Sequence, residues 1–274
     1  MNFPRFWAKG SADGFECWRW SNNSFTEAQS LAREAASRVA HLIKSGGRFA
    51  ELRYAYGDRP LREQVLRALK SNSGDIIAAV TRNSYGCLIL NTVHALFVDV
   101  DLPRTKARGI LGRLLGKSSE PDPREAVIVK ARQWVDQHHG FGMRIYRTCA
   151  GLRFLAVHDR FEPDTPVVNA LFEQLGADPL YRQLCKSQKC FRARLTPKPW
   201  RCSTSAPPVT WPFPDGKAES RFREWEARYQ SKSAGFRTCE LLVAIGNTSP
   251  HPDLQPIIQL HDEHTKISTA LPLA

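Results

Sequence analysis

Apolar residues in this chain recur first with the period of a strand, then of a helix, and the changes of period mark its elements. Phe6-Trp-Ala-Lys-Gly10 and Phe15-Glu-Cys-Trp-Arg-Trp20 surround Asp13-Gly14, which predicts an N-terminal β-hairpin. Its aromatic residues can stack bases, although covering a core is the simpler role. Ala28, Leu31, Ala35, Val39 and Leu42 then fall at helical spacing behind Ser24-Phe-Thr-Glu27, the arrangement of a capping box, and Gly46-Gly47 closes that helix. A second helix is expected to open at Asp58-Arg-Pro60 and to run through Leu61, Val65, Leu66 and Leu69.

Asp75-Ile-Ile-Ala-Ala-Val-Thr81 and Cys87-Leu-Ile-Leu-Asn91 read as strands joined by the turn Arg82-Asn-Ser-Tyr-Gly86. Ala95-Leu-Phe-Val-Asp-Val-Asp101 follows, closed by Leu102-Pro103, and has the composition of a buried central strand. Residues 104–122 carry Lys106, Arg108, Arg113 and Lys117 with little periodicity, and read as a basic loop before a helix over 123–138. Met143-Arg-Ile-Tyr-Arg-Thr148 and Leu152-Arg-Phe-Leu-Ala-Val-His158 flank Cys149-Ala-Gly151 as a second hairpin. With Ala150-Gly151 as its loop, Thr148 would face Arg153.

Two helices are expected over 165–175 and from Asp178-Pro179 onward, then a strand Phe191-Arg-Ala-Arg-Leu-Thr196 that leaves through Pro197-Lys-Pro-Trp-Arg201. Residues 203–216 are rich in Pro and Ser, and a charged helix (218–230), a strand (238–245) and a helix (254–266) end the chain. Hairpins mixed irregularly with helices indicate the α+β class, with a mixed or antiparallel sheet. The organisation expected is a hairpin and helices over 1–74 packing on a core over 75–201. A linker and a helix–strand–helix extension would occupy 202–274, with 218–274 either separate or integral.

Lys and Arg number 39 against 27 Asp and Glu, a formal charge of +12, which favours an anionic partner such as nucleic acid or nucleotide. No apolar run approaches membrane-spanning length and no export signal is visible, so no membrane partner and a cytoplasmic, thiol-reducing location are expected. The seven cysteines fit that setting as small buried residues.

Candidate chemistry begins at Asp99 and Asp101. Side chains two apart on a strand share a face, and paired carboxylates there can hold Mg²⁺ or Mn²⁺ against substrate phosphates. The alternative is a polar strand exit. Asp178 is the candidate third acid, or simply a helix N-cap. Arg192 and Arg194 share one face of their strand, with Lys198 shortly after, and Arg147 and Arg153 on the hairpin can extend a phosphate-binding wall. A solvated sheet face explains the same pattern equally well. His158 can orient a phosphate or relay a proton, or be an ordinary strand-end residue. Cys185, Cys190 and Cys202 can supply thiolates to zinc, with Cys239, His251, His261 or His264 completing the set, although core packing is the default.

Phe97-Val-Asp-Val-Asp101, followed after a helix by Tyr146-Arg-Thr-Cys-Ala-Gly-Leu-Arg153, resembles the catalytic core of archaeo-eukaryotic primases and primase-polymerases over roughly residues 75 to 201. The resemblance implies a palm-like (RRM-like) sheet flanked by helices, metal-binding acids at Asp99 and Asp101, and a later third acid. Arg153 stands where that family has a histidine that meets the incoming nucleotide. The function implied is a metal-dependent nucleotidyltransferase acting on nucleoside triphosphates and a template. The alternatives are a catalytically silent nucleic-acid-binding protein and a metal-dependent nuclease.

Overall fold

The computed structural model describes residue 1 and residues 3–47, 60–71, 73–103 and 122–274. Phe6–Ala12 (β1) and Phe15–Ser21 (β2) form the expected antiparallel hairpin, with Trp7 opposite Trp20. Phe25–Lys44 (α1) packs on it, capped by Ser24, whose side chain accepts from the Glu27 N–H. The buried face of α1 is Ala28, Ala32, Ala35, Ala36 and Ala40, whereas Leu31, expected inside, is 37% exposed. Gly10 explains the choice: a Cβ there would lie 2.3 Å from the Ala32 backbone. Backbones that close leave room only for methyl groups between hairpin and helix.

Asp58 and Arg59, where the second helix was expected to open, lie outside the described residues, as do Lys106, Arg108, Arg113 and Lys117 of the basic stretch. From Gln64 the helix expectation is wrong. Gln64–Lys70 (β3) is a strand paired with Ile76–Arg82 (β4). Irregularities between Val65 and Arg67 and between Leu69 and Lys70 break its alternation, so its apolar residues mimic helical spacing. Leu88–Thr92 (β5) and Phe191–Arg194 (β9) complete an antiparallel sheet in the order β3-β4-β5-β9.

The second four-stranded sheet contains Phe97–Asp101 (β6), Gly142–Thr148 (β7), Gly151–Ala156 (β8) and Cys239–Gly246 (β10), in the order β10-β7-β8-β6, all antiparallel. In the β7–β8 hairpin Tyr146, not Thr148, faces Arg153. Thr148 instead accepts the Gly151 N–H, so the two-residue loop is Cys149-Ala150, one residue earlier than expected. β6 is buried but lies at the edge of its ladder rather than at the centre. Its free edge meets β9, where the Tyr181 hydroxyl lies 2.8 Å from the Phe97 carbonyl and 3.1 Å from the Arg192 carbonyl.

Helices Pro123–Gln137 (α2), Pro166–Leu175 (α3), Pro179–Gln188 (α4), Gly216–Ser233 (α5) and Gln255–Thr265 (α6) surround the sheets. One apolar core runs through both sheets and also contains Cys239, Ile245, Ile257 and Ile258. The C-terminal segment is therefore integral: β10 supplies an outer strand and α6 covers a sheet face. The architecture is α+β with antiparallel sheets, and no described helix is long and apolar enough to cross a membrane.

Candidate phosphate-binding site

Alternation along β6 turns Val98 and Val100 into the core and leaves Asp99 and Asp101 on one face, Asp99 half-buried and Asp101 exposed. The cross-strand neighbour of Asp99 is Arg153, which is 1% exposed. Its Nε donates to Asp99 Oδ1 at 2.7 Å and its Nη2 to Oδ2 at 2.9 Å, a bidentate pair. The remaining nitrogen, Nη1, donates to the Arg194 carbonyl at 2.9 Å and lies 3.3 Å from Nε2 of His261. Burial opposes the guanidinium charge, but the adjoining Asp99 carboxylate outweighs it and holds Arg153 protonated.

Arginine can only donate, so His261 Nε2 accepts and its proton sits on Nδ1, aimed at Asp262 Oδ1 2.9 Å away. The same oxygen accepts from the Tyr146 hydroxyl at 3.0 Å, and Oδ2 accepts from Arg144 at 2.6 Å. Burial pushes the His261 imidazole below its ordinary value against the pull of Asp262. An ordered chain, Asp262–His261–Arg153–Asp99, thus crosses the sheet face beneath α6. His261 and Asp262 gave no local sign of this role, because the residue that organises them lies 108 positions away.

Arg194 projects from β9 beside this pair. Its Nε is buried with no hydrogen-bond partner, and no carboxylate among the described residues forms an ion pair with it. Burial and the neighbouring Arg153 push its guanidinium down, with Asp99 acting the other way. Lys198 is pushed down by burial and by Arg194 and Arg201, and is favoured by Asp101. Asp99 thus acts on Arg194 and Asp101 on Lys198, while Arg153 and Arg201 act against them.

The other expected members lie elsewhere. Arg192 does share a strand face with Arg194, but it is buried and satisfied: Nη2 donates to Glu63 at 2.7 Å and Nη1 to Asn91 at 2.6 Å. Thr81 donates to the second oxygen of that Glu63. Glu63 escaped notice because it fell in the supposed second helix. Arg147 lies on the opposite sheet face from Arg153 and pairs with Glu240 across β10. His158 follows β8 at the end remote from Asp101, its Nδ1 3.1 Å from the Gly142 nitrogen and its ring against Phe141. Asp178 caps α4, accepting from the N–H groups of Leu180 and Tyr181.

The implied metals fit these residues poorly. Both oxygens of Asp99 are committed to Arg153, and no three His, Cys, Asp or Glu side chains among the described residues gather as a metal-holding group. Cys185 and Cys190 are buried near Arg192, while Cys202 sits by Cys87 and donates to the Pro199 carbonyl. Burial pushes the Cys185 thiol up to about 12 and that of Cys190 up to about 11, away from the thiolate that zinc requires. Cys239 and His261 both lie against the Arg153 cation, which disfavours a metal ion between them.

No protein-family model matches the chain, and no curated protein and no solved structure matches it either.

Proposed function

We propose that this protein binds phosphate-bearing polyanions, nucleotide or nucleic acid, on the surface around Arg194, Lys198 and Arg201, near Asp99 and Asp101. The observation that carries this reading is Arg194, a half-buried residue whose Nε has no hydrogen-bond partner and which has no carboxylate partner among the described residues. A cation left without a carboxylate and pressed by further cations is a receptor for anionic oxygens. Arg192, on the same strand, is matched by Glu63, which makes the unmatched Arg194 a local difference rather than a general excess of charge.

In this reading the β10-β7-β8-β6 sheet is a palm-like (RRM-like) sheet of primase-like ancestry. Support comes from the Asp99-Val-Asp101 exit of β6 lying beside the Tyr146–Arg153 hairpin. The Arg153 guanidinium supplies Asp99 with the positive charge that a divalent ion supplies in the family resembled. The chain then acts as a binding protein, and nucleotidyl transfer or phosphodiester cleavage is not its activity.

The test is fluorescence anisotropy of a labelled oligonucleotide across a salt series. Three phosphate contacts give a slope of log K against log[salt] of about −2 on single strands, and Arg194→Ala with Lys198→Ala should remove about two thirds of it. An unchanged slope in the double variant would overturn the reading. Incubation with Mn²⁺ and nucleoside triphosphates should leave the oligonucleotide unchanged. A longer product would restore the nucleotidyltransferase, and a shorter one the nuclease.

A further inference from the structure

The turn that carries Lys198 also presents a large exposed ring. Trp200 sits in the 3-10 turn Pro199–Cys202 and is 52% exposed, and Tyr85, at the tip of the β4–β5 turn, is 49% exposed. The two rings meet edge to face with centroids 5.3 Å apart, and the Lys198 ammonium lies 5.5 Å from the Trp200 centroid. Two large half-exposed rings side by side mark a surface with a use.

Both turns are rigidly held. Asn83 Oδ1 accepts from the N–H groups of Tyr85 and Cys87, and Gly86 sits at φ +79° against Trp225, where a Cβ would lie 2.2 Å from the indole. Pro199 and Cys202 are buried on either side of Trp200, and the Tyr229 hydroxyl ties down the preceding Pro197 carbonyl. The same small cluster of Cys202, Phe222, Trp225 and Tyr229 thus supports both aromatic residues. Preformed aromatic surface beside a cationic track is the arrangement that receives unpaired bases, each face stacking on a ring while the adjoining phosphates meet Lys and Arg.

We infer that Trp200 and Tyr85 form a base-stacking platform and that the polyanion taken by this protein is single-stranded nucleic acid. The inference rests on the phosphate-binding reading of Arg194, Lys198 and Arg201 and narrows it. A duplex offers its backbone to those cations but keeps its base faces stacked, so only a single strand satisfies both halves of the surface.

The experiment compares a labelled single strand with a duplex of the same length, by anisotropy at fixed salt, with inorganic polyphosphate as competitor. Trp200→Ala should weaken single-strand binding about tenfold and leave duplex binding and the salt slope unchanged, while Trp200→Phe keeps most of the affinity. Tyr85→Ala gives an independent reading from the second turn, and thermal melting establishes that each variant is folded. The inference falls if Trp200→Ala and Tyr85→Ala bind the single strand like the parent, if the duplex binds as tightly as the single strand, or if polyphosphate competes equally per phosphate. The phosphate-binding reading survives each of those results provided Arg194→Ala with Lys198→Ala still lowers the salt slope; absence of any oligonucleotide binding would end both.

Discussion

Replacing Asp99 by alanine removes the only carboxylate that forms an ion pair with Arg153 among the described residues, and the effect on folding can be sized from the geometry. The guanidinium is 1% exposed, and two of its donors end on the two Asp99 oxygens. In Asp99→Ala the charge stays buried with the Arg194 carbonyl, His261 and the weakly accepting Cys239 sulfur as its remaining partners. Breaking a buried pair in this way costs about 3–5 kcal/mol. Asp99 retains 31% of its side-chain exposure, which lets water reach the gap and places the expectation near the lower end, about 3 kcal/mol. That is a large part of a typical folding free energy of roughly 5–15 kcal/mol and corresponds to a fall in Tm on the order of 10 °C. Asp101→Ala, at an exposed position, should shift stability by no more than about 0.5 kcal/mol. Urea denaturation of both variants, together with Arg153→Met and the Asp99→Ala/Arg153→Met double variant, closes a thermodynamic cycle. The double variant should recover part of the loss, because no unmatched charge remains. If Asp99→Ala is as stable as the parent, or more so, the carboxylate is not serving Arg153 and the reasoning fails. The comparison also bears on activity assays, since a loss of function in Asp99→Ala would report unfolding as readily as lost chemistry.

Two further outcomes follow from burial. His158, His261 and His264 are all held below the ordinary imidazole value, burial being the main cause in each. The unfolded chain therefore takes up protons that the native state refuses, and stability is full above pH about 6.5 and declines as the pH falls below it. His261→Asn should flatten part of that decline in urea midpoints measured between pH 7.5 and 5.5, and a pH-independent midpoint in the parent would contradict the burial argument. Of the seven cysteines, Cys87, Cys185, Cys190, Cys202 and Cys239 are buried, so thiol titration of the native protein should label exposed Cys149 fast, half-buried Cys17 more slowly and the rest only after denaturation. Slow labelling that a chelator accelerates would instead reveal a thiolate–metal site.

Legibility in the sequence followed locality. β6, the β7–β8 hairpin and β9 announce themselves because each has an unbroken alternation or apolar run and a clear stop. Helices α2, α3 and α4 begin at Pro-led turns that carry their own signal. β3 was hidden because two irregularities displace its side chains from period two, and the α1 face was misjudged because its partner is a glycine-thin backbone that only alanine can approach. At the site, strand parity put Asp99 with Asp101 on one face of β6 and Arg192 with Arg194 on one face of β9, but said nothing of how the two strands meet. Which guanidinium groups are free was not legible either. Arg153 and Arg192 look like Arg194 along the chain, and what separates them is Asp99, His261 and Glu63, all brought in from distant segments.

Arg153 meets its carboxylate from 54 positions upstream and its imidazole from 108 positions downstream. During synthesis the cation would emerge with its anion already made and its second acceptor still unwritten. The charge can be sealed from water only when α6 arrives, so commitment to the final packing of this face waits for a segment 108 positions beyond the arginine, and a product cut short before α6 would carry a solvated guanidinium where the folded molecule has a closed interior.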